Sequence, residues 1–219
     1  MPASQDDPLF DAIHGHDALG SLQRLVSSGV SPLSSRRELF AAATLYEQHE
    51  VIRFLIAHGL TLKIDHTKEP FTARAEGPNR ETALHEAASK GLNDILRTLL
   101  TIDGKDYLDT FDVILYYTPL HYAAQDGREE TVRILLEAGA NPNANDEAHI
   151  GKTPLESAIE ARSLPIVNLL LEAGADPDIP TWVGLTARDR ARKAKGHSPE
   201  IWEAISAMPA KPHLPPNGE

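Results

Sequence analysis

The chain has 219 residues, no cysteine, 41% hydrophobic residues of which few are aromatic, and a formal net charge of −11. The missing cysteines exclude disulfides, thiolate metal sites and a cysteine nucleophile, and the acidic balance argues against nucleic acid or anionic membrane as partner, since phosphate contacts need clustered Lys and Arg. No cofactor or metal is expected, because the chain carries no Gly-x-Ser-x-Gly, Gly-x-x-x-x-Gly-Lys, His-Glu-x-x-His or Gly-x-Gly-x-x-Gly.

The opening MPASQDDPLFDAI has neither a basic start nor a long apolar core. Neither a secretory signal nor a membrane span is expected there, and the cytoplasm is the expected compartment, with the nucleus as alternative. Residues 1–7 read as disordered. Residues 8–30 then give a degenerate helix pair, in which Pro8 to Ile13 is followed by Leu22, Leu25, Val26 and a closing Gly29. Residues 38–60 give a second pair, with Glu38-Leu39-Phe40-Ala41-Ala42-Ala43 and then Val51, Ile52, Phe54, Leu55, Ile56 and Gly59. His14, His16 and His49 read as solvent-facing, since their spacing shows no metal-ligand convergence. Residues 60–81 form an insertion, 22 residues long where later junctions have 13, and it carries His66, Lys68, Phe71 and Arg74. It is either a tolerated surface insertion or a binding loop held on a rigid scaffold.

The third unit, residues 82–104, starts Thr82-Ala83-Leu84-His85-Glu86-Ala87-Ala88 and ends with a glycine one place late, at Gly104. The apolar run Tyr107 to Tyr117 follows, and it either packs between neighbouring units or forms a contact patch. The fourth unit, residues 118–143, is the most regular. Thr118 is placed to cap a helix, and Pro119 is tolerated in a first turn because its missing N–H would be unpaired there anyway. Leu120, Ala123 and Ala124 fall on one face, Val132, Leu135 and Leu136 form the stripe of a second helix, and Gly139 supplies a left-handed closing residue. The fifth unit, residues 153–178, departs at Glu156, where a histidine fits the pattern, and at Arg162, where a glycine does. The sixth, residues 184–206, puts Arg188 and Arg190 where apolar residues fit. With Arg192, Lys193 and Lys195 they make a basic run that reads as the solvated outer face of a terminal unit. Residues 207–219 read as a disordered, proline-rich tail.

Helices of about ten residues are marginal alone, so such pairs must stack on copies to hide their apolar faces. The Thr-Pro-Leu-His-x-Ala start, the second apolar helix and the Gly-Ala-Asn turn resemble the ankyrin repeat, although starts 36 and 35 residues apart exceed its usual period of about 33. The resemblance implies an all-α solenoid with short β-hairpin fingers, a single domain over residues 8–206. It implies protein recognition through the concave face built from finger tips and first-helix ends, with another protein as partner. Carried onto this chain, that face selects Asn79 and Glu81, then Ile114, Leu115 and Tyr117, then His149, Ile150 and Lys152, then Trp182, Val183 and Leu185. From the first helices it adds Ser89, Lys90, Gln125, Asp126, Glu160 and Ala161. Tyr117 and Trp182 are the expected hot spots, because aromatic side chains bury large area with few rotors, the alternative for each being packing within its own hairpin. The alternative is an unusual enzyme or small-ligand site in the same groove, for which His85 and His121 are the candidate pair. The family role for such histidines is structural, orienting the finger by hydrogen bonding to backbone.

Overall fold

A computed structural model describes residues 8–13, 17–29, 36–60, 83–102, 104–112, 115–146, 151–181 and 184–210. Its helices are α1 (Pro8–Ile13), α2 (Ala18–Ser27), α3 (Arg36–Leu45), α4 (His49–Ala57), α5 (Ala83–Lys90), α6 (Asn93–Leu100), α7 (Pro119–Gln125), α8 (Glu129–Ala138), α9 (Pro154–Glu160), α10 (Leu164–Glu172), α11 (Ala187–Ala194) and α12 (Pro199–Ser206). Odd-numbered helices pack in series as one layer and even-numbered helices as a second, each pair joined by a tight turn. This is the stacked solenoid that the repeated pattern predicts.

Side-chain size explains why the layers differ. The first layer meets across alanines such as Ala87, Ala88, Ala123 and Ala124, all fully buried, so helix axes approach closely. The second layer supplies bulk from Ile95, Leu96, Leu99, Val132, Leu135, Ile166, Val167 and Leu170. Leu84, Leu120 and Leu155, in the first turns of α5, α7 and α9, are fully buried as well. Buried area from such aliphatic side chains is the main term holding the stack.

The fingers pair over a short length: among the described residues the β pairing is one isolated antiparallel bridge, Pro180 to Thr186. The finger before α7 is closed instead by Asp112, whose carboxylate accepts from the N–H groups of Leu115 (2.8 Å) and Tyr117 (2.9 Å) while its own N–H donates to the Tyr117 carbonyl. The late glycine, Gly104, does not take a positive φ. Gly104 opens a 3₁₀ turn, Gly104–Tyr107, and a β-carbon there would stand 2.6 Å from the Leu99 carbonyl oxygen. Close approach, rather than positive φ, requires glycine at this position.

Candidate concave face

Each odd-numbered helix from α3 to α9 ends just before a residue of positive φ: Glu47, Gly91, Gly127 and Arg162. The two residues before it therefore occupy equivalent places along one row: Leu45 and Tyr46, Ser89 and Lys90, Gln125 and Asp126, Glu160 and Ala161. Direct bonds tie neighbouring ends together. The Ser89 hydroxyl donates to Asp126 (2.6 Å), Lys90 Nζ donates to the Leu45 carbonyl (2.7 Å) and pairs with Glu86 (3.2 Å), and Arg128 Nε donates to the Ser89 carbonyl (2.9 Å).

Fingers are fixed to this row from beneath by the two histidines. His85 Nε2 lies 3.0 Å from both the Thr110 and Tyr117 carbonyls, and His121 Nε2 lies 2.8 Å from the Lys152 carbonyl. Carbonyl oxygens only accept, so each Nε2 carries the proton. In His121, Nδ1 accepts from the Thr118 N–H (3.1 Å), which leaves the ring neutral with both nitrogens engaged. Burial lowers its pKa to about 3, against the opposing bond to the Lys152 carbonyl. Both histidines are fully buried and tether fingers to helices; neither lines a cleft.

Of the two readings of Tyr117, the structure supports packing. Tyr117 is only 7% exposed, stacks on the His121 ring at 5.1 Å, and its hydroxyl accepts from Lys152 Nζ (2.9 Å). Lys152, expected on the open face, is likewise buried, with its ammonium 5.1 Å from the Tyr117 ring centre and 2.5 Å from Glu160. Their adjacency explains both burials, since an aromatic face and a carboxylate together replace the water the ammonium loses. Ser89, Lys90, Gln125, Asp126, Glu160 and Ala161 do share the row, and Leu115 and Leu185 are exposed in fingers. Asn79, Glu81, Ile114, His149, Ile150, Trp182 and Val183 lie outside the described residues, as do the terminal segments 1–7 and 211–219 and nearly all of the insertion. His14 and His16 do too, while His49 is exposed at the start of α4.

The basic run of α11 is also corrected, because its first two arginines are pinned rather than solvated. Arg190 bridges Glu156 (3.2 Å) and Glu160 (2.6 Å) of α9. Arg188 holds Asp178 (2.6 Å) and donates to the Ile205 and Met208 carbonyls at the end of α12. Hydrogen bonding to Asp178 raises the Arg188 pKa. Burial pushes the Glu156 carboxyl up, opposed by the Thr153 N–H and the Arg190 guanidinium.

Two residues of the row escape the sequence reading, Leu45 and Tyr46, exposed by 37% and 48%. The rule that selects Ser89 and Lys90 finds them once Glu47 is recognised as standing in the turn position of Gly91. On the opposite side, a shallow groove between α6 and α8 is lined by Arg97, Leu100, Thr101, Lys105, Ile134, Glu137 and Ala138. Among the described residues no group of three His, Asp or Glu could hold a metal ion, and no helix is long and apolar enough to cross a membrane.

Comparison with known families matches residues 110–181 to the profile for ankyrin repeats (3 copies) and residues 79–109 to that for a single ankyrin repeat. Diacylglycerol kinase iota of Homo sapiens is 31% identical over 115 residues, 52% of this chain and 11% of that protein. The nuclear factor NF-kappa-B p110 subunit of Drosophila melanogaster is 30% identical over 128 residues, 55% of this chain and 12% of that protein. Rabankyrin-5 of Homo sapiens is 56% identical over 45 residues, 20% of this chain and 4% of that protein. The aligned parts thus span at most about an eighth of these relatives.

Proposed function

With residues 79–181 establishing it as an ankyrin-repeat protein, we propose that this chain binds a partner protein through the row of first-helix ends and fingers. Ankyrin repeats are a protein-interaction module, so the open question is which face this chain uses. The observation that supports the concave side is the placement of exposed apolar bulk. Among the described residues the exposed large hydrophobic side chains are Leu45, Tyr46, Leu115 and Leu185. All four stand at a first-helix end or in a finger, and none belongs to a second helix. Exposed apolar surface confined to one side of a scaffold marks a contact site, because water leaves it when a partner covers it.

The test is site-resolved photocrosslinking in cells, with benzoylphenylalanine placed at positions 46, 115 and 185 and, as controls, at 97 and 137 on the opposite side. Adducts to a common partner from the first set but not the controls are the expected result. Adducts only from the controls would assign binding to the outer groove.

A further inference from the structure

The row is chemically graded along the stack, and the gradient specifies its occupant. Resting on the reading above, we infer that the site takes an extended segment of another protein with an apolar anchor over Leu45 and Tyr46 and a Lys or Arg reaching Asp126. The anchor end is set by Leu45 and Tyr46, adjacent exposed side chains where the next three pairs of the row carry Ser89 and Lys90, Gln125 and Asp126, Glu160 and Ala161. The cation position follows from which carboxylates are already neutralised. Glu86 is paired with Lys90, and Glu160 is held by both Lys152 and Arg190. Asp126 is exposed and accepts only the neutral Ser89 hydroxyl, while Glu47, beside the anchor, is exposed with no cation partner among the described residues. Glu47 and Asp126 are therefore the open negative charges of this half of the row, on a chain whose net charge of −11 already favours approach of a basic partner.

Geometry sets the spacing. From α3 to α7 is two helix-to-helix steps of roughly 8–10 Å each. An extended chain advances about 3.3 Å per residue, so anchor and cation stand about five or six residues apart. In the far half of the row Glu160 is already taken by the chain's own Lys152 and Arg190.

The experiment is selection from a displayed library of random peptides of about twelve residues against the full chain. Affinities of the selected peptides are then measured on wild type, Tyr46→Ser and Asp126→Asn, with thermal unfolding followed in parallel. Asparagine keeps an acceptor for Ser89 and removes only the charge. Enriched peptides should pair an aromatic or large aliphatic residue with Lys or Arg about five or six positions away. Tyr46→Ser should weaken them about tenfold, and Asp126→Asn about fivefold, and in Asp126→Asn replacing the peptide's cation should have no further effect. Enrichment of peptides lacking a cation, full retention on both variants, or no enrichment over an unrelated ankyrin scaffold would each overturn the inference. If crosslinks at 115 and 185 persist while the peptides ignore Tyr46 and Asp126, this inference fails and the broader reading stands. If crosslinks at 46, 115 and 185 are all absent, both fail.

Discussion

The turn between α9 and α10 holds Arg162 at a φ of 56°, in the left-handed region, where the equivalent turns use Gly91 at 74° and Gly127 at 69°. A side chain in that region costs about 1–2 kcal/mol, because its β-carbon crowds the following carbonyl. Glycine removes that cost but loosens the unfolded chain by about 0.4–1 kcal/mol. Arg162→Gly should therefore stabilise by about 0.5–1 kcal/mol, which for a chain of this size raises the melting point by about 1–4 °C. The arginine forfeits nothing else, since its exposed side chain carries no ion pair among the described residues. The reverse change, Gly127→Arg, should cost about 1–2 kcal/mol from backbone strain alone, because nothing lies within 4 Å of a β-carbon built there. Urea titration of both variants, followed by far-ultraviolet circular dichroism, is the assay. A lowered midpoint for Arg162→Gly, or an unchanged one for Gly127→Arg, would refute the strain argument.

Arg190→Leu strands the fully buried Glu156 carboxylate and should cost about 1–3 kcal/mol, the lower end reflecting the partial exposure of the guanidinium. Adding Glu156→His should recover more than half of that loss, whereas additive losses in the double-mutant cycle would count against the coupling. The folded-state pKa of His121 lies near 3, below its ordinary 6.5, so the unfolded chain binds the extra proton between those values. Stability should fall as pH drops through that window, by up to about 1.4 kcal/mol per unit from this group, and His121→Gln should flatten the slope measured by urea titration from pH 7 to 5. Leu135, fully buried in α8, should cost about 2–5 kcal/mol on change to alanine. A loss below about 0.5 kcal/mol would remove it from the core.

What was legible in the sequence is what repetition encodes. Helix pairs, their starts at Thr118 and Thr153, and the apolar stripes through Val132 and Leu170 follow from spacing together with the Thr-Pro start, because each copy solves the same packing problem. Side-chain direction in the fingers was not legible. Tyr117 reads as a surface aromatic because its unit gives no sign that Lys152, 35 residues on, will lay an ammonium over its ring. The role of Gly104 was not legible for a related reason, since a glycine demanded by close approach looks the same in sequence as one demanded by positive φ. Leu45 and Tyr46 were hidden by a substituted turn residue, Glu47, at a φ of 56°.

The departures at Glu156 in the fifth unit and Arg190 in the sixth are one structural event. In α7 the third residue, His121, accepts from the Thr118 N–H and donates from its other nitrogen to the Lys152 carbonyl. Glu156 has the same place in α9 and keeps the first bond, accepting from the Thr153 N–H at 3.1 Å, but an ionised carboxylate has no proton for the second. Two consequences follow, and both are present. Leu185, the residue before Thr186 as Lys152 is before Thr153, has its carbonyl served by the Thr181 N–H (2.7 Å), as the Tyr117 carbonyl is by the Asp112 N–H, and in place of a histidine by the Thr181 hydroxyl (3.1 Å). The other carboxylate oxygen of Glu156, buried and in need of a donor, takes the guanidinium of Arg190. An arginine at a position that fits an apolar residue is thus what a buried glutamate in the preceding unit requires, and Arg190 then has a second arm for Glu160. Glu160, already bonded to Lys152, becomes the most heavily compensated carboxylate of the row. One glutamate at the histidine position therefore fixes how the sixth unit docks and, among the described residues of the first-helix ends, leaves Glu47 and Asp126 as the carboxylates without a cation.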